Sequence, residues 1–207
     1  MDKYRAGLRD KWKIEIVDDI PRLCSIVDGV LLESVDGRTH LNHAKPVFAA
    51  GKPVFIDKPL AASYRDAKEI ARLAGEAGVP WFSSSSLRFW GETQRPRNSA
   101  GLGCILGYSV YGPSPIEPHH PDLMWYGIHA VEMLYTLAGT GCETDKAVLT
   151  SEPRPHSYQP LLVEIAKFFR TRVPPVSADE TLSGDIRLHA SCGDQQKRGG
   201  LKFPSAG

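Results

Sequence analysis

The stretch GKPVFIDKPL, residues 51–60, decides how the rest of this sequence is interpreted. A short apolar run that ends in an acid, a base and a proline is typical of a strand buried on both faces in a parallel sheet. Ligands of such sheets bind beyond the carboxyl ends of the strands, where Asp57 and Lys58 fall. A lysine there can pass protons to a bound substrate. The alternative is that Lys58 is an ordinary solvated loop residue.

The composition is that of a globular protein with no unusual class of partner. The 207 residues allow one large domain or two small ones. A net charge of +1 gives no reason to expect nucleic acid or an anionic membrane as partner. Four scattered cysteines without a CxxC pair argue against a zinc site or a disulfide framework and fit a cytoplasmic compartment. A secretory signal lost upstream stays an open alternative.

Strands and helices are predicted to alternate along the first 90 residues. Pro21 fits the first turn of one helix, Thr39 can cap a second, and Ser63 with Asp66 forms a capping-box-like start of a third that Gly78 ends. Strands are predicted at 14–17, 29–32, 53–56 and from residue 79. This alternation predicts a parallel sheet with crossover helices.

The second half is predicted to be a separate, smaller unit. The polar segment 91–103 predicts a boundary, which divides the chain into domains at residues 1–90 and 91–207. A strand is predicted within 105–111, and residues 140–158 look irregular. Three helices are predicted: one from Asp122 to Ala138, one from Pro160 with Leu162, Ile165, Phe168 and Phe169 facing inward, and one started by Ser177 with Glu180 and ending near Cys192.

An ordered series of short motifs resembles a known family. The series comprises DGVLL at 28–32, His40 opening a helix, AAGKPV at 49–54, DKPL at 57–60, alanines at 67, 71 and 74, Gly78, and Arg88-Phe89. Residues 28–90 thus resemble the distal half of the nucleotide-binding domain of the Gfo/Idh/MocA oxidoreductases, which carry Glu-Lys-Pro where this chain has Asp57-Lys58-Pro59. Residues 119–142 resemble a sub-branch of the family, and residues 161–200 resemble its closing helices.

The resemblance implies an NAD(P)-dependent oxidoreductase that acts on a sugar, polyol or related substrate. It implies an α/β fold: an incomplete Rossmann-like sheet, then a reduced second domain of mainly antiparallel sheet and helices, which often mediates oligomers. By position, Lys58 would hydrogen-bond the substrate hydroxyl and help to move its proton, and His129 would be the second acid/base. The residues that would border the cofactor are Ser34, Asp57, Lys58, Pro59 and Arg88. The hydride chemistry would belong to the nicotinamide.

Departures from the family pattern favour a second hypothesis. The chain contains no GxGxxG motif, the glycine turn that seats a dinucleotide pyrophosphate. By the size of a βαβ unit, roughly 50–60 residues are expected to be missing ahead of Met1, and cofactor binding is expected to be compromised. Trp125 stands where the family has an Asp near His129, and Glu132 or Asp122 could substitute only if folding brings one close. The alternative function is a non-catalytic carbohydrate-binding or scaffold remnant, or an inactive gene fragment.

The remaining polar signals have plain alternatives. His129 lies one position off the apolar stripe of its helix, so it can also be a hydrogen-bonded interface residue. Adjacent histidines at 119 and 120 are not expected to share a metal, and no metal site is predicted. The serines at 83–86 lack the GxSxG turn of a nucleophile. Trp125 and Tyr126 are predicted to be core residues rather than sugar-stacking groups.

Overall fold

The computed structural model describes residues 2–97, 110–113, 117, 124–140, 147–150 and 157–186. The helices are α1 (Asp2–Trp12), α2 (Ile20–Ile26), α3 (His40–Ala49), α4 (Tyr64–Ala77), α5 (Gly91–Arg97), α6 (Gly127–Ala138) and α7 (Gln159–Thr171), with a 3-10 helix over Ser86–Phe89. The strands are β1 (Val30–Leu32), β2 (Val54–Asp57), β3 (Trp81–Ser84), β4 (Val110–Pro113) and β5 (Ala147–Thr150). Residues 178–186 are also helical.

The strands β1, β2 and β3 form one parallel sheet in that order, with β2 at its centre. Helix α3 connects β1 to β2, and α4 connects β2 to β3. Parallel neighbours need such crossovers, because a tight turn can join only antiparallel strands. The predicted α/β class with a Rossmann-like parallel sheet is confirmed, and the strand within residues 51–60 is its central element.

Side chains of β2 alternate between two cores. Val54 and Ile56 pack with residues of α2, α3 and α4, including Cys24, Val47, Phe48 and Ile70. Phe55 points to the other face, where it packs with Phe82 of β3 and with Leu161, Ile165 and Phe168 of α7. The sheet is therefore covered on both sides, which explains why β2 is apolar at successive positions.

Local capping explains where α4 begins and ends. The Ser63 hydroxyl accepts a hydrogen bond from the Asp66 amide at 3.1 Å, as predicted for a capping box. Gly78 follows the helix with φ +62°, a conformation that glycine adopts without a steric penalty. The Ser177 hydroxyl likewise accepts from the Glu180 amide at 3.1 Å, so both serine caps are confirmed.

The predicted strand over residues 14–17 is wrong. The segment that follows α1 has no regular structure, and the Ile14 amide bonds back to the Leu8 carbonyl at 3.2 Å. An isolated extended segment cannot pair its backbone groups. Its apolar alternation therefore did not suffice to make a strand.

The second half differs from its prediction in strand direction. Strands β4 and β5 are the described strands of this half, and they pair in parallel, with Val110 opposite Ala147, whereas an antiparallel sheet was expected. Helix α6 lies between them in the chain and supplies the crossover that parallel pairing needs. The expected irregularity of residues 140–158 is wrong for 147–150, which form β5.

Two predicted helices are shifted in position or in facing. Helix α6 begins at Gly127 rather than at Asp122, after a turn over Trp125 and Tyr126. In α7 the inward residues are Leu161, Ile165 and Phe168, and the predicted Leu162 is 56% exposed. Spacings of four and three residues place 161, 165 and 168 on one helical face.

Across the described ranges, no helix has the length and apolarity needed to cross a membrane.

Candidate functional site

The loops that follow β1, β2 and β3 meet at the carboxyl edge of the sheet, because parallel strands all end on the same side. The buried imidazole of His40, the first residue of α3, ties two of these loops together. Its Nε2 lies 2.7 Å from the Ser34 carbonyl oxygen. Its Nδ1 lies 3.0 Å from the Pro59 carbonyl oxygen and 3.1 Å from that of Leu60. His40 therefore holds the loop after β1 against the loop that carries Lys58.

Lys58 lies at the rim of this edge, with a side chain that is 18% exposed. Its Nζ is 4.0 Å from Asp57 Oδ2. The same ammonium lies 5.8 Å from the centre of the Trp125 ring and 5.6 Å from that of Tyr126, both in the turn before α6. Contacts of a cation with aromatic faces at these distances are attractive. The ammonium is therefore held by one carboxylate and two ring faces, and the Lys58 side chain stays partly accessible.

Two carboxylates beside Lys58 have shifted pKa values. Burial raises the pKa of Asp57 above its usual value. Part of that rise is offset by the charge and the backbone N–H of Lys58 and by the charge of His40. Partial desolvation is the larger cause that raises the pKa of Glu33, and repulsion from Asp57 is the smaller one. The positive charge of Lys58 offsets part of this rise. Two acids with raised pKa values thus lie near a lysine, and such groups can exchange protons with a ligand.

A buried ion network lies behind the end of β3. Glu132 of α6 accepts hydrogen bonds at 2.9 Å from the Ser84 hydroxyl and the Ser85 amide, and at 3.1 Å from Arg88 Nε. A second guanidinium nitrogen of Arg88 pairs with Glu180. Burial alone would lower the pKa of Arg88, but the two carboxylates more than offset it, so the pKa is raised. The network joins the end of β3, α6 and the helix at 178–186.

His129 contacts this network through a serine. Its Nδ1 lies 2.5 Å from Ser85 Oγ, and its ring centre is 5.0 Å from that of Tyr126 in an edge-on arrangement. The residue is 4% exposed. His129 is thus one aromatic ring away from the groups that surround Lys58. Glu132, which the sequence offered as its carboxylate partner, bonds Ser85 instead.

Asp185 is a buried acid that no sequence pattern singles out. It is 1% exposed, and its Oδ2 has no hydrogen-bond partner among the described residues. Burial, and next the charge of Glu132, raise its pKa well above the usual value. A small cavity of about 10 Å³ lies beside it, between Arg88, Glu132 and Glu180. That volume is close to the minimum that one water molecule needs, roughly 10–15 Å³.

The other predicted site residues occupy different environments. The Ser34 hydroxyl is engaged with His43 Nδ1 at 2.9 Å. Pro59 follows a cis peptide bond and offers its carbonyl to His40. Arg88 is 3% exposed and faces carboxylates, so its cofactor-binding role stays a prediction. Ser85 was missed, although its serine run directly follows a predicted strand end.

Metal ligation finds no support in the part of the chain that the structure describes. No group of three histidine, cysteine or acidic residues there is placed to hold an ion. His119, His120 and Asp122 lie outside the described residues, as do Cys104, Cys142 and Cys192. The described cysteine, Cys24, is free and buried.

Known proteins resemble this chain in sequence and in fold. YceM from Salmonella typhimurium, whose name gives it a provisional oxidoreductase activity, is 27% identical over 146 residues, which cover 69% of this chain and 47% of YceM. The chain therefore spans about half the length of the curated relative it matches.

The solved structure of yvaA from Bacillus subtilis has a TM-score of 0.73 at 16% identity, and the match covers 98% of this chain and 89% of the yvaA chain. The UDP-N-acetylglucosamine 3-dehydrogenase GnnA from Acidithiobacillus ferrooxidans has a TM-score of 0.69 at 17% identity, with 91% and 84% covered.

The structural similarities agree with the α/β fold, and a sequence match to a family model covers the first part of the chain. One family matches residues 3–84: GFO_IDH_MocA, described as an oxidoreductase family with an NAD-binding Rossmann fold. That range contains the whole β1–β2–β3 sheet and both loops joined by His40. Residues 3–84, with Lys58 at the edge of their sheet, therefore match the model of the Gfo/Idh/MocA oxidoreductases.

Proposed function

We propose that this chain takes part in the NAD(P)-dependent oxidation or reduction of a sugar, polyol or related substrate, bound at the carboxyl edge of the β1–β2–β3 sheet. The observation that carries the proposal is the position of Lys58. Its partly exposed ammonium lies at a strand end between a carboxylate and two aromatic rings. The family description supports a nicotinamide cofactor, and the name of GnnA supports a sugar-like substrate.

The residues at this edge fit one end of the cofactor. Asp57 offers a carboxylate that is 26% exposed beside Lys58, which suits the hydroxyls of a ribose next to a nicotinamide. A glycine cradle for the pyrophosphate has no candidate at the described strand–helix junctions. The glycine after β1, Gly37, packs against another loop, because a Cβ there would lie 3.0 Å from backbone atoms of Ala61 and Ala62. The proposal therefore concerns the nicotinamide end.

Lys58 and His129 would act on the substrate oxygen. A bound nicotinamide supplies or accepts the hydride. Lys58 would donate a hydrogen bond to the substrate oxygen and give it a proton, or take one from it, according to the direction of reaction. Asp57, whose pKa is raised by burial, would exchange that proton with Lys58. His129, whose ring centre lies 5.0 Å from that of Tyr126, would make a second hydrogen bond to the substrate.

Replacing Lys58 tests this proposal. The full chain is titrated with NAD(H) and NADP(H) by calorimetry and assayed with a panel of sugars and polyols by nicotinamide absorbance. Lys58→Ala should lower turnover by about 10²–10⁴-fold, the usual contribution of a general acid or base, while cofactor affinity stays within about threefold. The matched control is Lys68→Ala. That lysine also contacts a ring, Tyr64 at 4.9 Å, but lies on α4.

The outcomes separate the proposal from its rival. Normal turnover in Lys58→Ala would remove the lysine from the mechanism. Failure of the unmodified chain to bind any of the four nicotinamide forms would favour the non-catalytic hypothesis, for which the absence of a GxGxxG motif is the specific observation. Saturable binding, with turnover lost in Lys58→Ala and kept in Lys68→Ala, is the result we expect.

A further inference from the structure

The hydrogen bonds around Ser85 determine which nitrogen of His129 carries its proton. We infer that Ser85 donates to His129 Nδ1 and so holds the neutral imidazole in the tautomer with its proton on Nε2. Ser85 and Glu132 are then positioning residues, and His129 is a hydrogen-bond donor rather than a base. This inference deepens the proposed function and rests on it for its catalytic meaning.

The Ser85 hydroxyl has one proton and two lone pairs. The residue is fully buried. Its Oγ accepts a hydrogen bond from the Leu87 amide at 3.1 Å and lies 2.5 Å from His129 Nδ1. Among the hydrogen bonds of the described residues, Nδ1 is the acceptor within reach of the Ser85 proton.

The opposite arrangement would leave a buried donor unsatisfied. If Nδ1 carried the proton and donated to Ser85 Oγ, the hydroxyl would accept two bonds, and its own proton would have no partner among the described atoms. An unpaired buried donor is unfavourable, because folding removes its bond to water without replacing it. The Ser85 proton therefore points to Nδ1, and the imidazole proton is on Nε2.

Glu132 holds Ser85 in the position that this bond requires. Both of its carboxylate oxygens lie 2.9 Å from the Ser85 amide nitrogen, and its Oε2 also accepts from the Ser84 hydroxyl and from Arg88 Nε. Hydrogen bonds to a charged acceptor are stronger than neutral ones. The backbone of Ser85 is therefore fixed from α6, the same helix that carries His129.

The tautomer divides the work between the two proposed catalytic residues. A neutral imidazole with a protonated Nε2 can donate a hydrogen bond from that nitrogen and cannot accept a proton there. His129 would polarise the substrate oxygen, and Lys58 would carry the proton. In the direction of reduction, the carbonyl carbon would receive the hydride that a bound nicotinamide supplies, and the Lys58 ammonium would give the substrate oxygen a proton and become an amine.

The inference is tested by nitrogen NMR of the full chain labelled with ¹⁵N-histidine at neutral pH. Couplings between ring nitrogens and ring carbon-bound protons show which nitrogen is protonated, and His129→Gln assigns the signals. We expect His129 to have a bare Nδ1 and a protonated Nε2. Ser85→Ala should allow the other tautomer to appear, and Ser85→Thr should restore the original pattern. Ser86→Ala is the control, since the Ser86 hydroxyl is buried without a partner among the described residues.

Several results would overturn the inference. A wild-type His129 with its proton on Nδ1, or with both nitrogens protonated, contradicts it without any variant, so misfolding of Ser85→Ala cannot hide the answer. If a folded Ser85→Ala variant keeps the wild-type tautomer of His129, then Ser85 does not determine that tautomer. The spectrum does not depend on turnover. Absence of dehydrogenase activity would therefore count against the proposed function alone.

Discussion

The loops after β2 and β3 lie side by side, yet they place their charges in different environments. After β2, Asp57 and Lys58 stay partly exposed, at 26% and 18% of their side chains. After β3, the Arg88 side chain is only 4% exposed and bonds Glu132 of α6, whose side chain is 11% exposed. Lys58 is held by weak contacts at 4.0 Å or more, whereas Arg88 has close ion pairs.

The loop after β2 is suited to chemistry, whereas the charges after β3 hold neighbouring elements together. A reactive group must reach a ligand, which the partly exposed side chains of Asp57 and Lys58 can do, and burial raises the pKa of Asp57. A buried charge network resists change, because losing one partner leaves another charge without compensation. We expect substitutions after β3 to affect folding most, and Lys58→Ala to affect turnover most.

Removing Arg88 should have the largest effect on folding. Arg88→Ala leaves the buried Glu132 and the partly buried Glu180 without their cation, and we expect a loss of about 3–5 kcal/mol in the free energy of unfolding, as for other broken buried pairs. Urea unfolding measures it. Arg72→Ala is the control, because Arg72 pairs with Glu69 and Glu76 on the exposed side of α4. Equal losses in the two variants would contradict the contrast between the two loops.

Removing His40 should have the next largest effect, on the loop after β2. His40→Ala leaves the carbonyls of Ser34 and Pro59 without their partner, and we expect a loss of about 2–3 kcal/mol from unpaired buried groups. His43→Ala removes one bond to the Ser34 hydroxyl and should cost about 1 kcal/mol. Hydrogen exchange of residues 57–62 would show local loosening in His40→Ala. No change there would mean that the loop is held by other contacts.

Neutralising Asp185 should have the smallest effect on stability, and it should raise stability instead of lowering it. Its folded pKa is raised, so the folded state binds more protons than the unfolded state above pH of about 4. Stability therefore falls as pH rises from there towards the folded pKa. Asp185→Asn cannot ionise, so at pH 8 we expect its Tm to be higher by about 2–4 °C, roughly 1 kcal/mol in a chain of this size.

A pH series checks the cause of that gain. The advantage of Asp185→Asn should shrink as the pH falls towards 4 and the wild-type acid becomes protonated in both states. Asp179→Asn, on the exposed side of the same helix, should follow the wild-type curve. A gain that is the same at every pH would point to packing instead of ionisation.

The first 90 residues were largely predictable because their signals are local. Strand β2, the Ser63 cap and the Gly78 stop each depend on a few neighbouring residues, and all three were found. The error at residues 14–17 arose because a strand also needs a partner that the local pattern does not name. The direction of β4 against β5 likewise depends on a long connection, which the sequence does not disclose.

The site was predictable only in part. Lys58 at a strand end follows from the buried run before it, and the structure places it there. The bond between Ser85 and His129 joins residues 44 positions apart, and the pair of Arg88 with Glu180 spans 92. Such contacts follow from packing of distant helices, which residue spacing does not encode. Trp125 and Tyr126, predicted as core residues, are half-buried beside Lys58.

The aromatic contact of α7 with the sheet has a consequence for how this gene can be divided. Phe168 lies 5.0 Å from Phe82, which lies 4.9 Å from Phe55. A recombinant piece ending near residue 90 would present both sheet phenylalanines to solvent, and exposed apolar patches promote self-association. Expression of the first half alone calls for α7 to be grafted on by a linker, or for those two rings to be replaced by smaller, polar side chains.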